Sequence, residues 1–163
     1  MPRRPRLSVP GVPQHIVQRG NNRQTTFVGD QDYAFYLECL MDAANKYGCD
    51  VHAYVLMTNH VHLLATPAKT GGISCMMQSI GRRYVQYMNF TYKRSGTLWE
   101  GRHKASLVGD EQYLLACHRY IELNPVRANM VEHPAEYRWS SYRHHAEGKP
   151  DALVREHARY LAL

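Results

Sequence analysis

The chain has 163 residues, 44% of them hydrophobic, which is enough for one globular domain with a buried core. Its formal charge of +6 favours a polyanionic partner, either nucleic acid or an acidic membrane surface. No apolar run approaches the roughly 18 residues that cross a bilayer, and the N-terminus lacks the apolar core of a signal peptide. We therefore expect a cytoplasmic protein. The four cysteines lack CxxC spacing, which argues against a zinc ribbon or a disulfide scaffold.

The N-terminal residues 1–14 predict an extended basic arm, because their prolines disfavour regular structure. The sequence QHIVQRG then predicts a short strand. Asp30 is suited to cap the N-terminus of an amphipathic helix, and Gly48 is suited to end that helix. The arginines of the arm are Arg3, Arg4 and Arg6.

Two β-rich runs, CDVHAYVLM and HVHLLAT, are separated by Thr58-Asn59. Asn tolerates the positive φ of a tight turn, so these runs predict an antiparallel hairpin. A second helix should follow KTGG and end near Gly96, and RHKASLV predicts a fourth strand. Asp110 is suited to cap a third helix, which Pro125 should end or kink.

The order strand, helix, strand, strand, helix, strand predicts an α+β protein with the ferredoxin-like βαββαβ fold and an antiparallel sheet. An added helix and a C-terminal extension, residues 131–163, follow this unit. The two helices of such a fold cover one face of the sheet. We therefore expect the other face to be open unless another segment packs on it.

His60 and His62 lie one residue apart in the second strand of the hairpin. Side chains alternate along a strand, so both histidines should project from the open face, whereas Val61 and Leu63 should face the helices. Their Cα atoms would be roughly 6.8 Å apart, which allows two imidazoles to converge on one metal ion. The alternative is a pair of histidines on a half-exposed strand with no ligand role.

Tyr120 and Asn124 are four residues apart on the third helix and therefore share one face. A phenol and an amide oxygen would then point the same way. Two structural alternatives stay open. Tyr120 is one of twelve tyrosines and could lie at the edge of the core. Asn124 precedes Pro125 and could cap a short helix.

Five motifs occur along the chain in this order: QRGNNRQ, the triplet His60-Val61-His62, LWEGRHKAS, RYIELNPVRA and EYRWSSY. Together they resemble the REP-associated tyrosine transposases, a branch of the HUH-type single-tyrosine transposases that act on single-stranded DNA. The resemblance spans residues 10–142. We divide the chain into the arm at 1–14, a catalytic domain at 15–130 and the extension at 131–163.

This resemblance implies that His60 and His62 bind a metal ion, that Tyr120 is the nucleophile, and that Asn124 occupies the third ligand position. Many relatives in the wider superfamily carry Gln at the position of Asn124. It also implies an enzyme that cleaves and rejoins DNA at hairpin-forming palindromes through a 5′-phosphotyrosine intermediate. Imidazole and amide ligands, completed by DNA oxygens, suit Mn²⁺ or Mg²⁺.

The alternative function is a non-catalytic nucleic-acid-binding module of the same sheet-based fold. A monomer and a homodimer are equally compatible with the sequence. In either function, basic side chains would contact DNA phosphates, and three aromatic residues, Tyr54, Trp99 and Trp139, would either stack on bases or belong to the core. The predicted phosphate contacts are Arg3, Arg4, Arg6, Arg19, Arg23, Arg82, Arg83, Arg102 and Lys104.

Overall fold

The structure, a computed structural model, describes residues 8–157. The arginines predicted for the arm, Arg3, Arg4 and Arg6, lie outside the described residues. The strands are β1 (Gln14–Arg19), β2 (Cys49–Leu56), β3 (His60–Pro67) and β4 (Lys104–Leu107). The α-helices of the described part are α1 (Asp30–Tyr47), α2 (Gly72–Thr91), α3 (Glu111–Glu122), α4 (Asn124–Arg127) and α5 (Tyr142–Glu147).

The four strands form one antiparallel sheet in the order β2-β3-β1-β4. With the chain order β1α1β2β3α2β4, this arrangement confirms the predicted ferredoxin-like fold, and α3 is the predicted added helix. Within residues 8–157, no helix combines the length and the apolar content that crossing a membrane requires.

Helices α1 and α2 pack on one face of the sheet. Ile16 of β1 and Val61 and Leu63 of β3 face these helices, and the rings of Tyr36 and Tyr84 are fully buried between sheet and helices. Each large apolar side chain buried in this way contributes roughly 2 kcal/mol to folding. The predicted alternation along β3 is confirmed, because Val61 and Leu63 belong to this core.

The other face of the sheet is covered over β2 and β3, so the expectation of an open face is wrong there. Helix α3 places Leu114, Cys117 and Ile121 against Val55 and Leu64 in a second buried cluster. Leu64 lies on the same side of β3 as the two histidines, and its apolar side chain provides a surface for the apolar stripe of α3.

The C-terminal segment lies along the outer edge of β2. Ser140 forms an antiparallel bridge with Val55, and the backbone N–H of Arg155 donates to the carbonyl of Val51 at 2.7 Å. These contacts cover an edge that would otherwise expose unpaired backbone groups. The division of the chain at residue 130 stays a prediction, and Tyr137 of the segment packs in the core under α3.

The helix ends agree with the sequence at Gly48 and Asp110 but not at Asp30 or Gly96, since α2 already ends at Thr91. Gly48 ends α1 in the left-handed conformation with φ 66°, and the Asp110 side chain caps α3 by accepting a backbone N–H at 2.8 Å. The prediction for Asp30 is wrong, because Gly29 is the N-cap residue of α1. The carboxylate of Asp32 instead accepts the backbone N–H of Gly29 at 3.0 Å.

Candidate active site

Three histidine rings meet on the face of the sheet that α3 covers. The centroids of the His60 and His62 rings are 5.1 Å apart, and His62 is only 2% exposed. His15 on the neighbouring strand β1 stacks on His62 with a centroid distance of 5.3 Å. The structure therefore brings the two predicted histidines together and adds a third, which is absent from the predicted ligand set. Val17 of β1 lies opposite His62, and His15 lies two residues before Val17. Because side chains alternate along a strand, His15 projects from the same face as His62, and this alternation is the signal that could have indicated it.

Helix α3 brings Tyr120 to these rings. The centroid of the Tyr120 ring lies 5.6 Å from that of His62 and 5.9 Å from that of His15, with both rings meeting it edge-on. Tyr120 is 46% exposed and, with His15, lines a cavity of about 290 Å³. Tyr113 lines the same cavity. The phenol is thus both close to the histidines and accessible from outside.

Arg127, at the end of α4, lies over the Tyr120 ring. Its guanidinium carbon is 4.1 Å from the ring centroid, and one of its nitrogens donates to the backbone carbonyl of Tyr120. A guanidinium at this distance from an aromatic ring forms a cation–π contact. Arg127 belongs to the motif RYIELNPVRA but not to the predicted site, and its position two helical turns beyond Tyr120 is the signal that could have indicated it.

Asn124 is buried, and it is the first residue of α4. The capping alternative for this side chain is wrong, because Leu123 is the N-cap residue and α4 has no side-chain cap. The junction between α3 and α4 falls at Leu123, just before Pro125. The role of Asn124 as a third ligand stays a prediction.

The neighbours of His60 determine which of its nitrogens carries the proton. The amide oxygen of Asn59 lies 2.8 Å from Nδ1 of His60, and the amide nitrogen of Asn59 donates to the carbonyl of Arg23 at 3.3 Å. Since an amide oxygen only accepts, Nδ1 of His60 is the donor and Nε2 keeps its lone pair. Asn59 does not adopt the positive φ expected of it, and its contribution to the turn is this side-chain contact.

His15 performs a similar task for His62. Nε2 of His15 and Nδ1 of His62 are 3.0 Å apart, so one of these nitrogens donates to the other. When His62 is the donor, its Nε2 keeps a lone pair. In the opposite tautomer, Nε2 of a neutral His62 would carry the proton. A ligand role for His62 therefore requires His15 to accept.

The three imidazoles are neutral at neutral pH. Burial, assisted by the charges of His15 and His60, lowers the pKa of His62 to about 3. Burial and the nearby Arg19 lower the pKa of His60 to about 4. Burial also lowers the pKa of His15. Neutral imidazole is the form that coordinates a metal ion, so these nitrogens fit a divalent cation.

Two of the predicted phosphate contacts lie beside His60. Arg19 and Arg23 line a cavity of about 550 Å³ together with Asn59, His60 and Glu100. Both arginines are exposed. Glu100 adds a carboxylate at this cavity, whereas the predicted ligand set contains none.

Arg82 and Arg102 line a different groove, of about 390 Å³, at α2. Gln18 lines the same groove, and its side chain points to the opposite side of β1 from that of Arg19. The structure therefore separates the predicted basic residues into two groups, one on each face of the sheet.

The last two predicted basic residues differ in their surroundings. Arg83 forms an ion pair with Asp42 at 2.9 Å and lies over the ring of Phe35, so it links α2 to α1 at the surface. Lys104 is exposed at the start of β4. The three aromatic residues belong to the core or its margin: Tyr54 and Trp99 are buried, and Trp139 packs against the core.

A second polar cluster lies on the other flank of α3 and was not predicted. Glu122 of α3 is buried, and its carboxylate is 2.6 Å from Nδ1 of His145 on α5 and accepts from Ser141 at 2.5 Å. His118, one helical turn before Glu122, is also buried, and its ring centroid is 5.0 Å from that of His145. The i, i+4 spacing of His118 and Glu122 was the available signal.

Comparison with known proteins defines the class. The model of the IS200-like transposase family matches residues 8–124, and the chain belongs to this family. The transposase family that the motifs indicated is therefore confirmed, and the protein is an enzyme of the transposase class that acts on DNA.

Two solved structures are similar to this one. A REP-associated tyrosine transposase bound to a REP hairpin matches with a TM-score of 0.77 and 15% identity, covering 96% of this chain and 99% of that chain. A candidate transposase from Deinococcus radiodurans matches with a TM-score of 0.51 and 21% identity, covering 71% of this chain and 98% of that chain. A search of curated proteins gives no match. At these identities the similarity establishes the fold.

Proposed function

We propose that this transposase is a metal-dependent strand transferase that cleaves and rejoins single-stranded DNA at hairpin-forming palindromic repeats. The observation that carries the proposal is the 5.6 Å distance between the ring centroids of Tyr120 and His62. For this chemistry the nucleophile and the metal-binding side chains must reach the same phosphate group, which this distance allows.

His60 and His62 are the proposed ligands of a Mg²⁺ or Mn²⁺ ion, and the amide oxygen of Asn124 is the proposed third ligand. The lone pair on Nε2 of His60, which the contact of Nδ1 with Asn59 at 2.8 Å leaves available, supports this assignment. The ion would neutralise charge on the phosphodiester and orient it for in-line attack. His15 is a positioning residue, because its Nε2 can accept from Nδ1 of His62.

Tyr120 is the proposed nucleophile. A phenol attacks poorly until it loses its proton. The guanidinium of Arg127, 4.1 Å from the ring centroid, would hold the Tyr120 ring in position through a cation–π contact. The phenolate oxygen would form a bond to phosphorus, and the 3′-oxygen would leave and take up a proton. The products are a 5′-phosphotyrosine and a free 3′-hydroxyl. Attack of a 3′-hydroxyl on the phosphotyrosine would reverse these steps and join the strands.

The arginines next to His60 support the placement of the DNA backbone. Arg19 and Arg23 are exposed at the cavity of about 550 Å³ that His60 lines, so a phosphate there would meet both cations. The similar structure that carries a REP hairpin supports a folded hairpin as the substrate. The groove lined by Arg82 and Arg102 would contact DNA farther along the same substrate.

The test is formation of a covalent protein–DNA adduct. Labelled hairpin DNA with a single-stranded flank is incubated with the protein and Mn²⁺ or Mg²⁺, and the denatured sample is analysed on a gel. We expect labelled protein from wild type and from the matched control Tyr113→Phe, and none from Tyr120→Phe, which should still bind the hairpin. Adduct from Tyr120→Phe would refute Tyr120 as the nucleophile. Wild type that binds hairpin without forming adduct would indicate a non-catalytic binding module.

The same assay tests the ligands. His60→Ala and His62→Ala should each lower the rate of adduct formation by on the order of 1000-fold, since a metal ion supplies several kcal/mol of charge stabilisation. Far-UV circular dichroism should remain that of wild type. An unchanged rate with unchanged dependence on metal concentration would remove the histidine pair from the mechanism.

A further inference from the structure

Three buried side chains on the far flank of α3 offer donor atoms to a common point. His118, Glu122 and His145 can each supply one ligand atom, and these three atoms lie within 4.8 Å of one another. His118 and Glu122 come from adjacent turns of α3, and His145 comes from α5. The cluster therefore joins two segments that are separated along the chain.

The donor set is that of a zinc ion. Two imidazole nitrogens and one carboxylate oxygen form a common zinc ligand set, with bonds of about 2.0–2.2 Å. Around a tetrahedral ion such atoms would lie about 3.3 Å apart, so atoms now within 4.8 Å need to move by about an ångström or less. Mg²⁺ and Ca²⁺ prefer shells made of oxygen atoms, and this cluster supplies only the carboxylate of Glu122.

Electrostatics also favours a cation at this place. Glu122 is buried, and a buried carboxylate requires a positive charge or several hydrogen bonds. Without a metal ion, Glu122 has Ser141 and His145 as partners at 2.5 and 2.6 Å. An ion bound by these donor atoms would supply the positive charge.

We propose that His118, Glu122 and His145 bind a structural zinc ion that joins α5 to α3. This site is separate from the proposed catalytic one, because His118 and Tyr120 are two residues apart on α3 and so project to different sides of it. The zinc ion would hold in place the helix that carries Tyr120. A neighbouring group formed by His144, His145 and Glu156 shares one residue with this cluster but is less buried, and our proposal assigns the ion to the buried cluster.

The test uses the full chain with the double substitution His60→Ala/His62→Ala, which removes the proposed catalytic ligands. The protein is stripped with a chelator, incubated with excess zinc chloride and dialysed. Zinc per chain is then measured by mass spectrometry and the melting temperature by calorimetry. We expect one zinc per chain and a rise in melting temperature of roughly 5 °C or more.

Further substitutions in that background locate the ion. His118→Gln and Glu122→Gln should each lose the zinc and the thermal shift. The exposed His133→Ala is the matched control and should keep both, as should His144→Ala. The proposal is overturned if the double-substituted chain binds no zinc, if His118→Gln keeps a full equivalent, or if His144→Ala alone loses it.

The first measurement can overturn the proposal even if a variant of the buried cluster does not fold, and His144→Ala then distinguishes the two neighbouring groups. Because the catalytic histidines are absent from the protein tested, the result is independent of the adduct assay. Zinc bound to this chain without adduct formation by wild type would refute the catalytic proposal only.

Discussion

Both flanks of α3 meet a buried histidine, but the groups around that histidine differ. On one flank, His15 and His62 meet Tyr120, which is 46% exposed beside a cavity of about 290 Å³. On the other flank, His118 and Glu122 are both buried. The first flank has arginines and an accessible phenol, whereas the second has a carboxylate enclosed by α5.

This contrast separates two tasks on one helix. A flank with an accessible phenol, neutral imidazoles and nearby cations is suited to a phosphodiester, which is charged and must enter and leave. A closed flank with a paired carboxylate is suited to holding the helix in position. Between them, the apolar stripe of Leu114, Cys117 and Ile121 fixes the rotation of α3 on the sheet. Substitutions on the two flanks should therefore affect different measurements.

The largest expected effect on stability is that of Glu122→Ala. It leaves Ser141 and His145 without their buried partner, which should cost about 3 kcal/mol of unfolding free energy. Urea unfolding in the presence of a chelator measures it, with the exposed Glu132→Ala as control. Adduct formation per folded molecule should stay within about threefold of wild type, because substitutions distant from the reacting atoms usually act independently of them. A stable variant with lost activity would break the separation of tasks.

Both flanks of α3 should contribute to the loss of folding stability at acidic pH. Burial lowers the pKa of His62 and of His118 to about 3, below the ordinary value of 6.5. As the pH falls from 7 to 5, the unfolded chain takes up protons at both positions and the folded chain does not, so stability is lost. Each group should account for about 2 kcal/mol of that loss at pH 5.

His62→Gln and His118→Gln should each reduce the loss of stability between pH 7 and pH 5 by that amount. Urea unfolding at the two pH values, with a chelator present, measures the difference. His133→Gln on the surface should leave the wild-type loss unchanged. If only one of the buried substitutions has an effect, the two flanks do not enclose their histidines equally.

The smallest effect should come from His15. His15→Phe removes the acceptor for Nδ1 of His62 and should raise the metal concentration for half-maximal adduct formation about tenfold. His15→Gln supplies an amide oxygen that can accept in the same place and should restore part of the affinity. The maximal rate at saturating metal should change less than the affinity. Equal behaviour of the Phe and Gln variants would show that His15 does not orient His62.

The agreement between sequence and structure is closest where local rules apply. Period-two alternation along β3 placed Val61 and Leu63 under the helices, and Asp110 capped α3 as expected, because both depend on neighbouring residues. At the start of α1, the local rule chose Asp30, yet Asp32 has the backbone contact. Two acidic residues so close together compete for one helix end, and packing decides between them.

The candidate site shows the same division. His60, His62 and Tyr120 are identifiable from motifs, since residue type and spacing carry the chemistry. His15 and Arg127 are defined by which strand pairs with β3 and by where α4 turns after α3. Neither is a property of the local sequence, so spacing alone could not name them.

The amino-acid sequence by itself determined the order of the helices and strands and the alternation of buried and exposed side chains along them, because these depend on interactions within a few residues. It also contains the residue types that can carry the chemistry. Tertiary structure alone decided that α3 closes part of the second sheet face, that Tyr120 meets His62, and that Glu122 is enclosed with His145. The reason is physical. Burial and contact between distant segments depend on how apolar surfaces are shared among all elements at once, and no local pattern contains that information.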